Sequence, residues 1–131
     1  MKPIPPQKII GAVSLFLLCS GITWLRDYYI SVMRIPVVPA HYFIVAFGIV
    51  EVIVGAGFWT QRRWFLSAAT VLCWGKAIFA VGAFGYTLLM IPPLRTSVWF
   101  HLVSVMHFLL AAGCISSLRR SDVRHAYFLR A

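Results

Sequence analysis

The chain has 131 residues, of which 61% are hydrophobic and 11% charged, and it carries a net charge of +9. A soluble domain of this size has no interior large enough to hide so much apolar surface, so the composition excludes that class and points to an integral membrane protein. The basic excess does not point to nucleic acid, because the cations cluster where apolar segments end, at the depth of anionic headgroups.

Taken in order, four apolar segments are each long enough to cross about 30 Å of hydrocarbon at about 1.5 Å per residue. Lys2 and Lys8 precede an apolar run over residues 9–18, which looks like a signal peptide. Leu18 is too large for the small-residue cleavage site that would release Cys19, so the segment is expected to stay as an anchor. The first span covers about residues 9–29, after Pro3, Pro5 and Pro6. Trp24 and Arg26-Asp27-Tyr28-Tyr29 form an aromatic belt at its end. Residues 30–40, with Arg34, Pro36 and Pro39, read as a linker because the prolines oppose a continuous helix.

The second span covers about residues 41–60. Gln61-Arg62-Arg63 is then a short polar turn, which predicts an antiparallel hairpin with the third span over about 64–91. That span is longer than a bilayer requires, so tilt or an extension beyond the membrane is expected. Pro92-Pro93 closes it, and the fourth span, about 97–118, empties into the basic tail Arg119-Arg120-Ser121-Asp122-Val123-Arg124. The fold class is therefore an all-α integral membrane protein, a single antiparallel bundle of four transmembrane helices. No second domain, low-complexity tract or inverted repeat of the transporter kind is visible.

Charge sets the orientation. With both termini inside, Lys2, Lys8, Arg62, Arg63, Arg119, Arg120, Arg124 and Arg130 lie on the inner side, against Arg26, Arg34 and Arg95 outside. By the positive-inside rule this predicts N-in and C-in, with both termini cytoplasmic in a bacterial-type inner membrane.

The polar residues inside the spans are few. Glu51 stands alone in the apolar run 48–57, where an ionisable group is costly and usually has a reason to be present. Glu51 lies 11 residues before Arg62, Lys76 lies 13 after Arg63, and His107 lies 12 before Arg119. These spacings put the three at about 16, 20 and 18 Å from the inner surface, a common height. At about 100° per residue each falls on a stripe of small residues. The stripes are Gly48, Glu51, Gly55 and Phe58; Ala69, Cys73, Lys76, Ala80 and Ala83; and Ser104, His107, Ala111 and Cys114. Gly11, Ser14, Leu18 and Gly21 line the first helix, and such stripes suit closely packed membrane helices. The first reading of this polar cluster is an intramembrane ion pair of Glu51 and Lys76 that locks the hairpin. A proton or ion relay through Glu51, Lys76 and His107, and a ligand site for a group such as a quinone, are the alternatives.

His107 reads as a hydrogen-bonded core histidine, or else as an axial ligand of a haem or chlorophyll-type pigment. His101 lies about 240° around the helix from it, so the two cannot serve one site. His41 and His101 fall near the outer surface, where an interfacial role is the simple reading. Trp74 falls near mid-depth, either as packing or facing a cofactor or partner. His107, Trp74, His101 and His41 are the candidate cofactor or pigment contacts, and no cofactor is required by the sequence. Cys19, Cys73 and Cys114 lie in apolar segments, are odd in number and have no C-x-x-C spacing. They read as buried small hydrophobes rather than a disulfide framework or metal site. No zinc-protease, nucleophile-elbow or phosphate-loop motif is present, and Asp27, Glu51 and Asp122 are the whole supply of carboxylates, so catalysis by this chain is poorly supported.

Several of these pieces resemble the DoxX-like family of small four-helix membrane proteins. They are Lys8-Ile9-Ile10-Gly11 opening the first helix with Ser20-Gly21 near its end, and Pro39-Ala40-His41-Tyr42-Phe43 opening the second. The fullest match is Ile49-Val50-Glu51-Val52-Ile53-Val54-Gly55, followed by the basic turn Gln61-Arg62-Arg63. The resemblance implies a four-helix bundle. It also implies a link to quinone-coupled sulfur oxidation or to maturation of periplasmic redox enzymes, while Lys76 and His107 match no family motif. Small size and the lack of a soluble catalytic domain point instead to an accessory subunit in a larger photosynthetic or respiratory complex, partnered by lipid and other membrane subunits. A DoxX-like quinone-linked redox subunit is the alternative, and a small proton or ion conductor the third reading.

Overall fold

The computed structural model describes residues 5–34, 39–90 and 98–128, and every regular element among them is helical. In chain order they are α1 (Pro6–Val32), α2 (Pro39–Gly57), a single 3-10 turn (Phe58–Thr60), α3 (Arg63–Met90), α4 (Val98–Leu118) and α5 (Ser121–Phe128). Four stretches are long and apolar enough to cross a membrane: Pro6–Ile30, His41–Thr60, Arg63–Tyr86 and His101–Leu118. Pro6 and Pro39 each open a helix, the position where a missing N–H leaves no bond unmade. The linker expected over 30–40 is accordingly shorter, because α1 continues to Val32 and Pro39 belongs to α2. Pro36, Pro92-Pro93, Arg95, Lys2 and Arg130 lie outside the described residues.

The chain divides into two compact units, Met1–Ala69 with Ser121–Ala131, and Thr70–Arg120. In the first, α1 and α2 run antiparallel at very close range. A Cβ added to Gly21 would stand 2.8 Å from the carbonyl oxygen of Gly48, and one added to Gly48 would stand 3.1 Å from that of Gly21. Only residues without side chains let two helix backbones approach this closely. One end of the same seam carries a buried hydrogen bond from the Ser14 hydroxyl to the Gly55 carbonyl, at 2.6 Å. Ile10, Val13 and Leu17, on the same side of α1, complete the buried face.

The α2 terminus is finished by residues far apart in sequence. Gln61 adopts a left-handed conformation (φ 55°) and donates its N–H to the Phe58 carbonyl at 3.3 Å. This supplies one of the donors that a helix end lacks. Tyr127 of α5 supplies a second, its hydroxyl reaching the same carbonyl at 2.8 Å while its ring packs 5.1 Å from that of Phe58. Burial pushes the Tyr127 phenol well above its ordinary range, so it is the neutral, donating form that sits there. The chain then doubles back, with the Phe65 ring lying against Gly57.

Helix α5 corrects the expectation of a plain basic tail after residue 118. Val123 and Tyr127, four residues apart, are both buried, whereas Arg124 and His125 are exposed. Asp122 in the first turn complements the helix dipole.

In the second unit, α3 and α4 also run antiparallel. Phe84 meets His101 edge-on at 5.1 Å near one end. At the other end the Arg119 guanidinium lies 5.6 Å from the centroid of the Trp74 ring. The side chains buried along this pair are small ones, Cys73, Ala77, Ala80, Ser104 and Ala111, together with Leu72, Lys76, Ile115 and Leu118. No glycine takes part here: a Cβ on Gly75, Gly82, Gly85 or Gly113 would meet nothing within 4 Å.

The two groups of glycines should answer differently to substitution. Gly21→Val is expected to lower stability by about 1–3 kcal/mol through overpacking against α2. Gly82→Ala should be neutral or stabilising by up to about 1 kcal/mol through helix propensity. Thermal unfolding in mild detergent measures both, and equal costs at the two positions would contradict the packing described for α1 and α2.

Candidate functional site

The two charges that the sequence places at mid-span are both sequestered. Glu51 is 0% exposed on α2 of the first unit, and its Cβ lies 3.0 Å from where a Gly21 Cβ would stand. The glycine that lets α1 approach α2 therefore also makes the space into which Glu51 packs. Lys76, on α3 of the second unit, is 6% exposed and shares its face with Cys73, Ala77 and Ala80. Taking such groups out of water costs several kcal/mol each unless they are compensated, so neither position is an incidental one.

His107 departs from the expected inward face. It is exposed on α4, while Ser104, Ala111 and Ile115 are buried. It lies about 60° around the helix from Ser104, at the edge of the buried stripe rather than in it. Its Nδ1 is 3.0 Å from the Val103 carbonyl of its own helix. A carbonyl only accepts, so Nδ1 is the donor, and in the neutral ring the lone pair lies on Nε2.

The remaining candidates have separate surroundings. His41, expected at an interface, is 4% exposed in the first unit and sits edge-on to Tyr28 at 6.2 Å. His101 is half-buried against Phe84. Trp74 is 44% exposed, but the guanidinium over its ring explains its position without a cofactor: Arg119 at the end of α4 folds back over an aromatic face. Within the second unit His101 and Trp74 lie toward opposite ends of the α3–α4 pair, so these four do not form one site. Among the described residues, no cluster of three or more His, Cys, Asp or Glu side chains is placed to hold a metal ion.

Two contributors, Ser14 and Tyr127, escaped the sequence reading of the site. Ser14 was read as a small stripe residue, yet it ties α1 to α2. Tyr127 was not singled out, although Val123 and Tyr127 carry the four-residue spacing of a helix face. Cys73 on α3 is fully buried and Cys114 on α4 half-buried, with no motif spacing between them.

The surface is inverted relative to that of a soluble protein. Ile53, Val71, Ile78, Phe79 and Leu109 are exposed along the spans, whereas Glu51 and Lys76 are buried. This distribution suits hydrocarbon as solvent, and with four helices of spanning length it defines a multi-pass membrane protein. Compared with family models, curated proteins and solved structures, the chain matches none.

Glu51→Gln, which keeps the volume, is expected to leave the protein folded, whereas Glu51→Lys forces a longer cation against Gly21 and should abolish a monodisperse folded species. Size-exclusion profiles in detergent report the difference, and a well-folded Glu51→Lys protein would refute tight packing at this position.

Proposed function

We propose that this protein is an accessory subunit that packs into and stabilises a larger membrane complex for photosynthetic or respiratory electron transfer. The observation that carries the reading is the outward-facing His107. It sits among exposed Val105, Met106, Phe108, Leu109 and Leu110 on a helix of spanning length. A ring nitrogen with an unused lone pair is poorly solvated by lipid, so this face is better suited to a partner than to hydrocarbon. An exposed imidazole whose Nδ1–H is held by a backbone carbonyl, leaving Nε2 as the other ring nitrogen, is also arranged as metal-ligating histidines are. That favours a tetrapyrrole or a polar group of a neighbouring subunit as what His107 meets, and it supports an electron-transfer setting. Lipid and other membrane subunits, not nucleic acid, are the partners in this reading.

Kinship with DoxX-like proteins belongs to the same proposal and is supported by the 49–55 segment, where the carboxylate and Gly55 both lie on the α1 seam. The quinone contact which that kinship implies does not fit Glu51, because its carboxylate has no exposed surface for a ring to approach. A proton relay is disfavoured by the outward turn of His107.

Purification from native membranes in mild detergent should bring down other membrane chains, and His107→Leu should reduce their recovery several-fold, with any coloured cofactor, while leaving this chain folded. A protein that purifies alone as a stable species, free of partners and coloured cofactors, would sink the proposal.

We further infer that both termini face the cytoplasm of a bacterial-type inner membrane, supported by the eight cations against three across the two sides. A reporter fused after Ala131 is expected to be active only in the cytoplasm, and one inserted between Val32 and Pro39 only outside it. The reverse pattern overturns the orientation.

A further inference from the structure

We propose that the end of the first unit where α1 begins and α2 turns into α3 is a binding site for an anionic phospholipid, held by its headgroup phosphate. This does not rest on the accessory-subunit reading. The first ground is charge balance. Asp27, Glu51 and Asp122 are the whole supply of side-chain carboxylates. Glu51 is fully buried in the α1–α2 seam, and Asp27 pairs with Arg26 at 2.7 Å toward the other end of α1. At this end Lys8, Arg62, Arg63 and Arg124 stand against Asp122 alone, whose Oδ1 already accepts the Val123 N–H at 2.9 Å. The excess of positive charge is therefore balanced from outside the chain.

The second ground is placement. The Trp59 ring lies on α1, 3.3 Å from where a Gly11 Cβ would stand, and Lys8 is one turn before Gly11. Tyr127 reaches the Phe58 carbonyl at 2.8 Å, and Arg124 is one turn before Tyr127. Arg62 follows the same 3-10 turn. Three exposed cations, Lys8, Arg62 and Arg124, thus come to one end of the unit from α1, the connection and α5.

The third ground is that the frame is already fixed. The Thr60 hydroxyl donates to the Gly57 carbonyl at 2.7 Å, and the Phe65 N–H donates to the Arg62 carbonyl at 3.1 Å. With the Gln61 and Tyr127 bonds to Phe58, this holds the connection in place, so a ligand has little backbone to order on binding. Guanidinium groups match phosphate oxygens as two-pronged donors, and a lysine adds a point charge. Trp59 and Trp64, 58% and 52% exposed, decide between a lipid and a free anion. Indoles favour the boundary where headgroup gives way to acyl chain, so a phosphate bearing acyl chains fits this end better than inorganic phosphate.

The test uses the delipidated full-length protein in non-ionic detergent, given equal amounts of dioleoylphosphatidylglycerol and dioleoylphosphatidylcholine and read by native mass spectrometry. The phosphatidylglycerol adduct should exceed the phosphatidylcholine adduct several-fold and survive a large excess of inorganic phosphate. The Arg62→Gln/Arg124→Gln double variant should lose that preference, whereas Arg34→Gln, beyond the opposite end of α1, should keep it. If the double variant does not fold, the wild-type preference and the phosphate competition decide the matter. Equal adducts of the two lipids, displacement by inorganic phosphate, or an Arg34→Gln protein as impaired as the double variant would each overturn the proposal. So would an acidic protein chain, rather than phosphatidylglycerol, missing from native-membrane preparations of the double variant.

Discussion

Two facing glycines, Gly21 and Gly48, set how closely α1 and α2 can run, and the first unit follows from that approach. With the backbones nearly touching, the Ser14 hydroxyl reaches the Gly55 carbonyl across the seam. Hydrogen bonds of this kind between membrane helices are worth about 0.6–1.7 kcal/mol, so Ser14 fixes register more than it adds stability. Glu51 is buried by the same approach, because a glycine rather than a side chain stands opposite its Cβ. The fixed seam also positions the 3-10 turn, whose Phe58 carbonyl then receives Gln61 and Tyr127.

The second unit solves the same problem by other means. Its glycines take no part in helix contact, and the buried side of α3 and α4 mixes small residues (Cys73, Ala77, Ala80, Ser104, Ala111) with Leu72, Lys76, Ile115 and Leu118. No pair of facing glycines fixes the register of this seam. Its ends are marked instead by aromatic contacts, Phe84 with His101 and Arg119 over Trp74. Helix α4 also leaves most of its circumference open, with apolar side chains on nearly every exposed side. Lipid covers such a surface well except at His107, and that exception is the ground of the function proposed above.

Glu51 and His107 illustrate opposite uses of a polar residue at membrane depth. The carboxylate is removed from all solvent by glycine-mediated packing, which suits a structural part and leaves no surface for a diffusing substrate. The imidazole is held by its own helix and turned outward, which suits an encounter with something else. The bare presence of a polar residue in a span does not distinguish these cases; the direction of the side chain does.

Much of the architecture was legible in the sequence. Apolar runs of spanning length gave four helices whose bounds fall within a few residues of those observed, because hydropathy and length act locally. The glycine and small-residue stripes around Glu51 and Lys76 correctly marked buried faces, since helical periodicity is a property of the chain itself. What the sequence left open depends on neighbours. His107 sits at the edge of its stripe, and periodicity alone does not tell an edge from a centre. The Phe58 carbonyl acquires Tyr127 only because α5 returns to the first unit. The sequence by itself determined that this is a helical membrane protein with a carboxylate inside its second span. Tertiary structure alone decided which polar groups are enclosed and which face outward, because that depends on how closely separate helices approach and at what register.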